Sequence, residues 1–183
     1  MSMTTNILVL LGSLRAGSVN RRAVEHVRDH APEGVQLTIA DGLGDLPFYD
    51  ADLDTDTPPA TVAALREAVA AADRVLVVTP EFNGTMPAVV NNAIDWLSRP
   101  FGAGALRGKP LAVAGASFGR YGGVWAHDDV RRSASVAGAQ VLEDVKVSVR
   151  PEGEDPALDP ALIGAVTEAV RTLAAFDEAA AAA

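Results

Sequence analysis

The chain has 183 residues, enough for one α/β domain with a sizeable core and too few for two of ordinary size. Hydrophobic residues make up 49% and charged residues 21%, a globular balance that excludes wholesale disorder. A formal net charge of -9 leaves no basic footprint for nucleic acid and disfavours anionic membranes, while the absence of cysteine excludes disulfides, thiol catalysis and Cys-ligated metal.

Short apolar runs alternate with longer helical patterns. Ile7-Leu8-Val9-Leu10-Leu11 is a continuous apolar run ended by Gly12, the signature of a strand buried on both faces. A helix follows over 20–31 with Val24, Val27 and Ala31 on one face, then a second strand over 35–40. The long segment 41–56 carries Leu46-Pro47-Phe48-Tyr49, apolar residues that either pin it to the core or serve a function. Thr57-Pro58-Pro59 reads as the start of a helix, with Thr57 as N-cap and a proline at the first helical position. Val62, Leu65, Val69 and Ala72 form its stripe. A third strand is expected over 75–79. Thr85-Met86-Pro87 opens a helix striped by Val90, Ala93, Ile94 and Leu97. A fourth strand covers 110–115, a helix 123–137, and a fifth strand falls within 140–149. Asp159-Pro160 caps a last helix with its stripe at Leu162, Val166, Ala169, Leu173 and Phe176.

This alternation predicts a single domain over 1–183, a five-stranded parallel sheet with helices on both faces. Right-handed crossovers favour the doubly wound order 2-1-3-4-5. Residues 1–5 lack the basic flank and apolar run of a signal peptide, and no run of about 18 apolar residues suggests a membrane span. A cytoplasmic protein is the expectation. The tail 178–183 is read as a frayed helix end.

In such sheets ligands bind beyond the carboxyl ends of the strands, near the switch between strands 1 and 3. Three loops lie there. The first, 12–20, joins a buried strand to a helix N-terminus, where free N–H groups favour an anion. Ser13, Ser18 and Asn20 add neutral donors, and Arg15 adds a planar cation able to grip a phosphate at two points. Neither a Gly-Lys-Ser/Thr ending nor a Gly-x-Gly-x-x-Gly fingerprint is present. The second loop is Pro80-Glu81-Phe82-Asn83-Gly84. Pro80 sets a turn, Phe82 offers a face to a flat ring, Asn83 offers donor and acceptor, and Gly84 allows a bend. The third, 115–123, is glycine-rich, so backbone can approach a ligand closely, and the helix after it offers N–H groups to charge on a ligand ring. His26 and His30 lie one turn apart on a helix with no third ligand, which reads as a solvated polar face rather than a metal site. His127 follows the third loop and lies near a site or an interface.

Three motifs in register, Gly12-Ser13-Leu14-Arg15-x-x-Ser18-x-Asn20, Thr79-Pro80-Glu81-Phe82-Asn83-Gly84 and Asn92-Ala93-Ile94-Asp95-Trp96-Leu97-Ser98, resemble the NADPH-dependent FMN reductase family over residues 6–150. The resemblance implies a flavodoxin-like three-layer sandwich and an FMN-dependent NAD(P)H oxidoreductase. Hydride passes from NADPH or NADH to flavin N5 and then to a quinone-like or other small acceptor. The flavin carries the chemistry, so no side chain is expected to be catalytic. The alternatives are a flavodoxin-type FMN electron carrier and a reductase that releases reduced flavin.

By the same resemblance Arg15, Ser18 and Asn20, with Ser13 and Val19, hold the phosphate and ribityl chain. Pro80, Glu81, Phe82, Asn83 and Gly84 edge the isoalloxazine ring, and Ser117, Gly119, Arg120 and Gly122 cover its other side. It also implies a homodimer or homotetramer, with the Asp95-Trp96 helix as interface material. The family more often has Tyr where this chain has Phe82, which removes any hydrogen bond from that position.

Overall fold

The computed structural model describes residues 4–177, so the tail expectation lies outside the described residues. The chain runs β1 (Thr5–Leu11), α1 (Val19–Asp29), β2 (Val35–Ile39), α2 (Ala60–Ala71), β3 (Arg74–Val78), α3 (Ala88–Leu97), β4 (Pro110–Ala114), α4 (Val124–Val136), β5 (Gln140–Lys146) and α5 (Pro160–Ala174). The strands are all parallel, in the order β2-β1-β3-β4-β5. The parallel alternation read from the apolar runs therefore holds, including the position of the switch beside β1 and β3.

The two faces of the sheet carry separate cores because successive strand residues point to opposite sides. Ile7, Val9 and Leu11 pack under α1 and α5 with Val24, Val27, Leu162 and Val166. Leu8 and Leu10 pack under α2, α3 and α4 with Val62, Val69, Val90, Trp96 and Val130. β5 is less regular. Its pairing with β4 slips between Leu111 and Val113, and a further bridge joins Ala116 to Val149. That slip carries the polypeptide past the end of β4 and places residues 147–149 beside residues 115–117.

Two local expectations change. Thr57 does not cap α2: the helix begins at Ala60, Pro59 is its N-cap, and no side chain bonds there. Each proline disfavours helical backbone in the residue before it, so the Pro58-Pro59 pair delays the helix. The carbonyl of Pro59 then accepts from the amides of Val62 and Ala63. Trp96 itself is a fully buried core aromatic, so any interface role of its helix falls to other residues. Its indole N–H donates to the Pro47 carbonyl at 2.8 Å, Arg66 lies over its ring at 5.6 Å, and Tyr49 meets its face edge-on. Asn92 completes this arrangement, accepting from the Tyr49 amide at 2.8 Å and donating to the Pro47 carbonyl at 2.9 Å. Leu46 and Tyr49 thus pin the long 41–56 segment, while Phe48 stays exposed.

Gly12 marks the tightest point of the switch. A Cβ there would lie 2.0 Å from the Thr79 hydroxyl and 2.6 Å from the Thr79 Cβ. Gly12→Ala should therefore lower unfolding stability by about 1–3 kcal/mol through overpacking. Gly17→Ala, where nothing lies within 4 Å of a new Cβ, should stay within about 0.5 kcal/mol of the parent. Urea unfolding of both variants checks the contrast.

Candidate functional site

The carboxyl ends of β1, β3 and β4 open into a cleft of about 330 Å³. From the first loop it is lined by Ser13, Arg15, Ser18, Val19 and Asn20, from the second by Pro80, Glu81 and Phe82, and from the third by Ala116, Ser117, Phe118 and Gly119. Asn83, Gly84, Arg120 and Gly122 do not line it. Ala116 and Phe118 do, and nothing in their residue type or spacing had singled them out.

The first loop ends in the N-terminus of α1. Ser18 is its N-cap, accepting from the Arg21 amide at 3.3 Å and leaving its own hydroxyl hydrogen free to donate. The first turn contains no acidic residue, and the amides of Val19 and Asn20 have no acceptor among the described residues. Arg15 is exposed, one terminal guanidinium nitrogen donates to the Gly17 carbonyl at 3.0 Å, and it has no carboxylate partner among the described residues. This corner of the cleft gathers donors and positive potential without a counter-ion.

Asn20 has another task. Its side chain is buried, donates to the Ala116 carbonyl at 2.9 Å and accepts from the Ala116 amide at 2.8 Å. Both ends of the amide are therefore used to fasten α1 to the segment after β4. Asn20 shapes the cleft with its side chain, and its backbone N–H has no acceptor among the described residues.

The second loop is a two-residue hairpin. Phe82 and Thr85 exchange backbone bonds, and Asn83 and Gly84 both have positive φ, 54° and 76°. That is the Asn-Gly turn expected of a tight hairpin, so these two residues supply backbone geometry, and neither lines the cleft. Phe82, 53% exposed, lines the cleft from the second loop, and Phe118, 59% exposed, lines it from the third. The Glu81 carboxylate reaches across to α4, accepting from the amides of Trp125 and Ala126 at 3.1 and 3.3 Å.

That contact corrects the expectation that the α4 N-terminus serves a ligand ring. The Val124 amide bonds the Tyr121 carbonyl and the His127 amide bonds the Gly123 carbonyl, so with Glu81 in place the whole first turn is spent within the chain. The glycines of the third loop also face protein rather than ligand. A Cβ on Gly115 would meet the Thr79 carbonyl at 2.3 Å, and one on Gly122 would meet the Val149 carbonyl carbon at 2.7 Å. Only Gly119 opens onto the cleft.

Of the three histidines, His26 and His30 stack on one another at 4.4 Å on the surface of α1. No group of three or more His, Cys, Asp or Glu among the described residues is placed to hold a metal. His127 is fully buried beneath the cleft. Burial pushes its pKa down from the ordinary histidine value, against a bond to the Thr79 carbonyl that acts in the opposite direction.

Residues 5–153 match the family model described as NADPH-dependent FMN reductase. A quinone reductase from Pseudomonas putida is 41% identical over 133 residues, covering 73% of this chain and 71% of that protein. A 2-hydroxy-1,4-benzoquinone reductase from a Burkholderia species is 40% identical over 129 residues, covering 70% and 69%. Among solved structures, a flavoenzyme NAD(P)H:(acceptor) oxidoreductase from Paracoccus denitrificans superimposes with a TM-score of 0.80 at 28% identity, covering 93% of this chain and 97% of that one.

The Asn20 clamp generates a prediction of its own. Asn20→Ala strands a buried amide and a buried carbonyl on Ala116, and should cost about 2–3 kcal/mol of unfolding free energy. Hydrogen exchange should locate the loss at the end of β4 as well as at α1. A loss confined to α1 would contradict the clamp.

Proposed function

This chain belongs to the NADPH-dependent FMN reductase family, and we propose that it transfers hydride from NAD(P)H to a quinone-like or other small acceptor, using FMN held in the cleft between the three loops. It is an NAD(P)H-dependent FMN flavoenzyme with the flavodoxin-like fold.

One observation carries the placement of the cofactor. Two helix N-termini border the cleft, and they are treated oppositely. The first turn of α4 is neutralised by Glu81, whereas the first turn of α1 is left with free amides, the Ser18 hydroxyl and Arg15. A chain with a net charge of -9 repels anions at long range, so a phosphate must be held by local donors, and this corner supplies them. The remainder of the cleft is apolar and bounded by Phe82 and Phe118, which suits a flat, largely apolar ring.

The residues present thus fit FMN. Arg15, Ser18 and the amides of Val19 and Asn20 would hold its phosphate, with Ser13 close to the ribityl chain. Pro80 and Phe82 would border one edge of the ring, and Ala116, Ser117, Phe118 and Gly119 the opposite side. Glu81, Asn83, Gly84 and Gly122 support these contacts through the backbone they fix, and Arg120, drawn over the Tyr121 ring at 5.4 Å, flanks the mouth. When bound, FMN supplies acceptance of hydride from NAD(P)H and its delivery to a second substrate. Glu81 is the one carboxylate lining the cleft among the described residues, and its engagement at α4 leaves no side chain there for acid or base duty.

The names of the quinone reductase relatives favour a quinone as acceptor. The same reading takes residues 1–183 as one domain. It places the enzyme in the cytoplasm, where reduced nicotinamide is available, and no described helix is long and apolar enough to cross a membrane. It also takes the working form as a homodimer or homotetramer. Phe101, 90% exposed, and Val136, 85% exposed, flank a second cleft between the ends of α3 and α4 and give an association surface.

Anaerobic mixing with NADPH or NADH should bleach the bound flavin, and a quinone should restore its colour. Flavin that binds but is not bleached by either nucleotide would make the protein an electron carrier and end the reductase reading. Arg15→Ala should weaken FMN binding by roughly tenfold to a hundredfold, the range of a charge-assisted bond of about 1.5–3 kcal/mol. Its melting temperature should not change, because Arg15 is exposed. Sedimentation of wild type against Phe101→Glu should show loss of the oligomer in the variant.

A further inference from the structure

His127 is a buried titratable group that the proposed reaction does not use. Its Nε2 lies 2.9 Å from the Thr79 carbonyl oxygen and its Nδ1 lies 2.6 Å from the Ser148 hydroxyl. A carbonyl only accepts, so Nε2 carries the ring hydrogen and donates it to Thr79. In the neutral ring Nδ1 then accepts from Ser148 Oγ–H. The neutral state agrees with the downward pKa shift caused by burial and reinforced by Arg131, against the Thr79 bond, Glu81 and Asp128.

Both partners are roots of the cleft. Thr79 is the residue before Pro80, which opens the second loop, and its amide donates to the Ala114 carbonyl. Ser148 lies in the 147–149 segment. That segment bonds Gly115 through the Val147 carbonyl and the Val149 amide, and its Val149 carbonyl accepts from the Ser117 amide. The slot for the ring is as narrow as glycine permits: a Cβ on either Gly115 or Gly123 would come within 3.1 Å of His127 Nε2. The imidazole is therefore a strut between the start of the second loop and the strip that carries Ala116 and Ser117.

We propose that His127 is a positioning residue for the cofactor cleft, setting through its bonds to Thr79 and Ser148 the separation between the loop that carries Pro80 and Phe82 and the loop that carries Ser117 and Phe118. This rests on the assignment of the cleft to FMN. Asn20 fastens the first loop to Ala116 from one side of the sheet, and His127 fastens the second loop to the same strip from the other. The three loops are thereby fixed to one another by two buried side chains rather than by the ligand.

The test separates positioning from bulk stability by asking which nitrogen matters. Gln places its amide near the position of Nε2, whereas Asn places its amide near Nδ1. His127→Phe keeps a buried aromatic ring, slightly larger than imidazole, and removes both bonds. FMN affinity, by quenching of flavin fluorescence, and the visible circular dichroism of the bound flavin are measured at a temperature where each variant is folded.

His127→Phe should weaken FMN binding about tenfold or more and reduce the dichroic band. His127→Gln should recover most of both, and His127→Asn should not. If the Phe variant does not fold, the Gln and Asn pair, with Ser148→Ala expected to weaken binding by about threefold, carries the same comparison. Binding by His127→Phe within about twofold of wild type, or equal behaviour of Gln and Asn, overturns the proposal. Failure of wild-type protein to bind FMN overturns the assignment of the cleft itself, and the proposal with it.

Discussion

The ends of β1, β3 and β4 converge on Thr79, and the rest of the site depends on how closely they do so. Thr79 occupies the space where a Cβ would stand on Gly12 from one side and on Gly115 from the other. Its amide is held by the Ala114 carbonyl and its carbonyl by His127. No side chain larger than hydrogen fits at either flanking position, so the first and third loops leave the sheet at fixed points around the second. Gly12 and Gly115 are there for protein packing. The room for a ligand is what remains above them.

Electrostatics then divides the cleft. The chain is acidic overall, and many of its arginines are already engaged, with Arg22 on Asp155, Arg66 on Asp54 and Arg131 on Asp128. Arg15 is left beside the α1 N-terminus without a carboxylate. Glu81 takes the competing N-terminus of α4, which removes a second anion site from the same opening. The outcome is one corner rich in free donors and one more apolar slot in a cleft of modest size, an electrostatic asymmetry between its two ends.

The motif around Asn92 and Trp96 acts at a distance from this chemistry. Both side chains reach the Pro47 carbonyl, Asn92 also binds the Tyr49 amide, and Arg66 ties the Trp96 carbonyl to Asp54. A long segment without regular strand or α-helix is thereby laid against α3, with Leu46 sunk in the core. The tryptophan of this motif is a core anchor for that segment, and the most exposed large apolar residues among those described are Phe48, Phe101 and Val136.

By itself the sequence determined the elements and their order. Unbroken apolar runs, a 3.6-residue stripe and a proline or aspartate at a helix start are local signals, and Asp159 does cap α5 as its place before Pro160 implies. It also marked the three loops, because a parallel doubly wound sheet leaves few other places for a ligand. What only the tertiary structure decided is the duty of each polar side chain in them. Asn20 and Ala116 are 96 residues apart, Glu81 and Trp125 are 44 apart, and Thr79 and His127 are 48 apart. Pairings across such separations leave no periodic trace, so Asn20 and Glu81 look like ligand groups when read in line. Once the strands are closed around Thr79, each of them is needed by the protein, and the polar groups left facing the cleft are Arg15, the Ser18 hydroxyl and the amides of Val19 and Asn20.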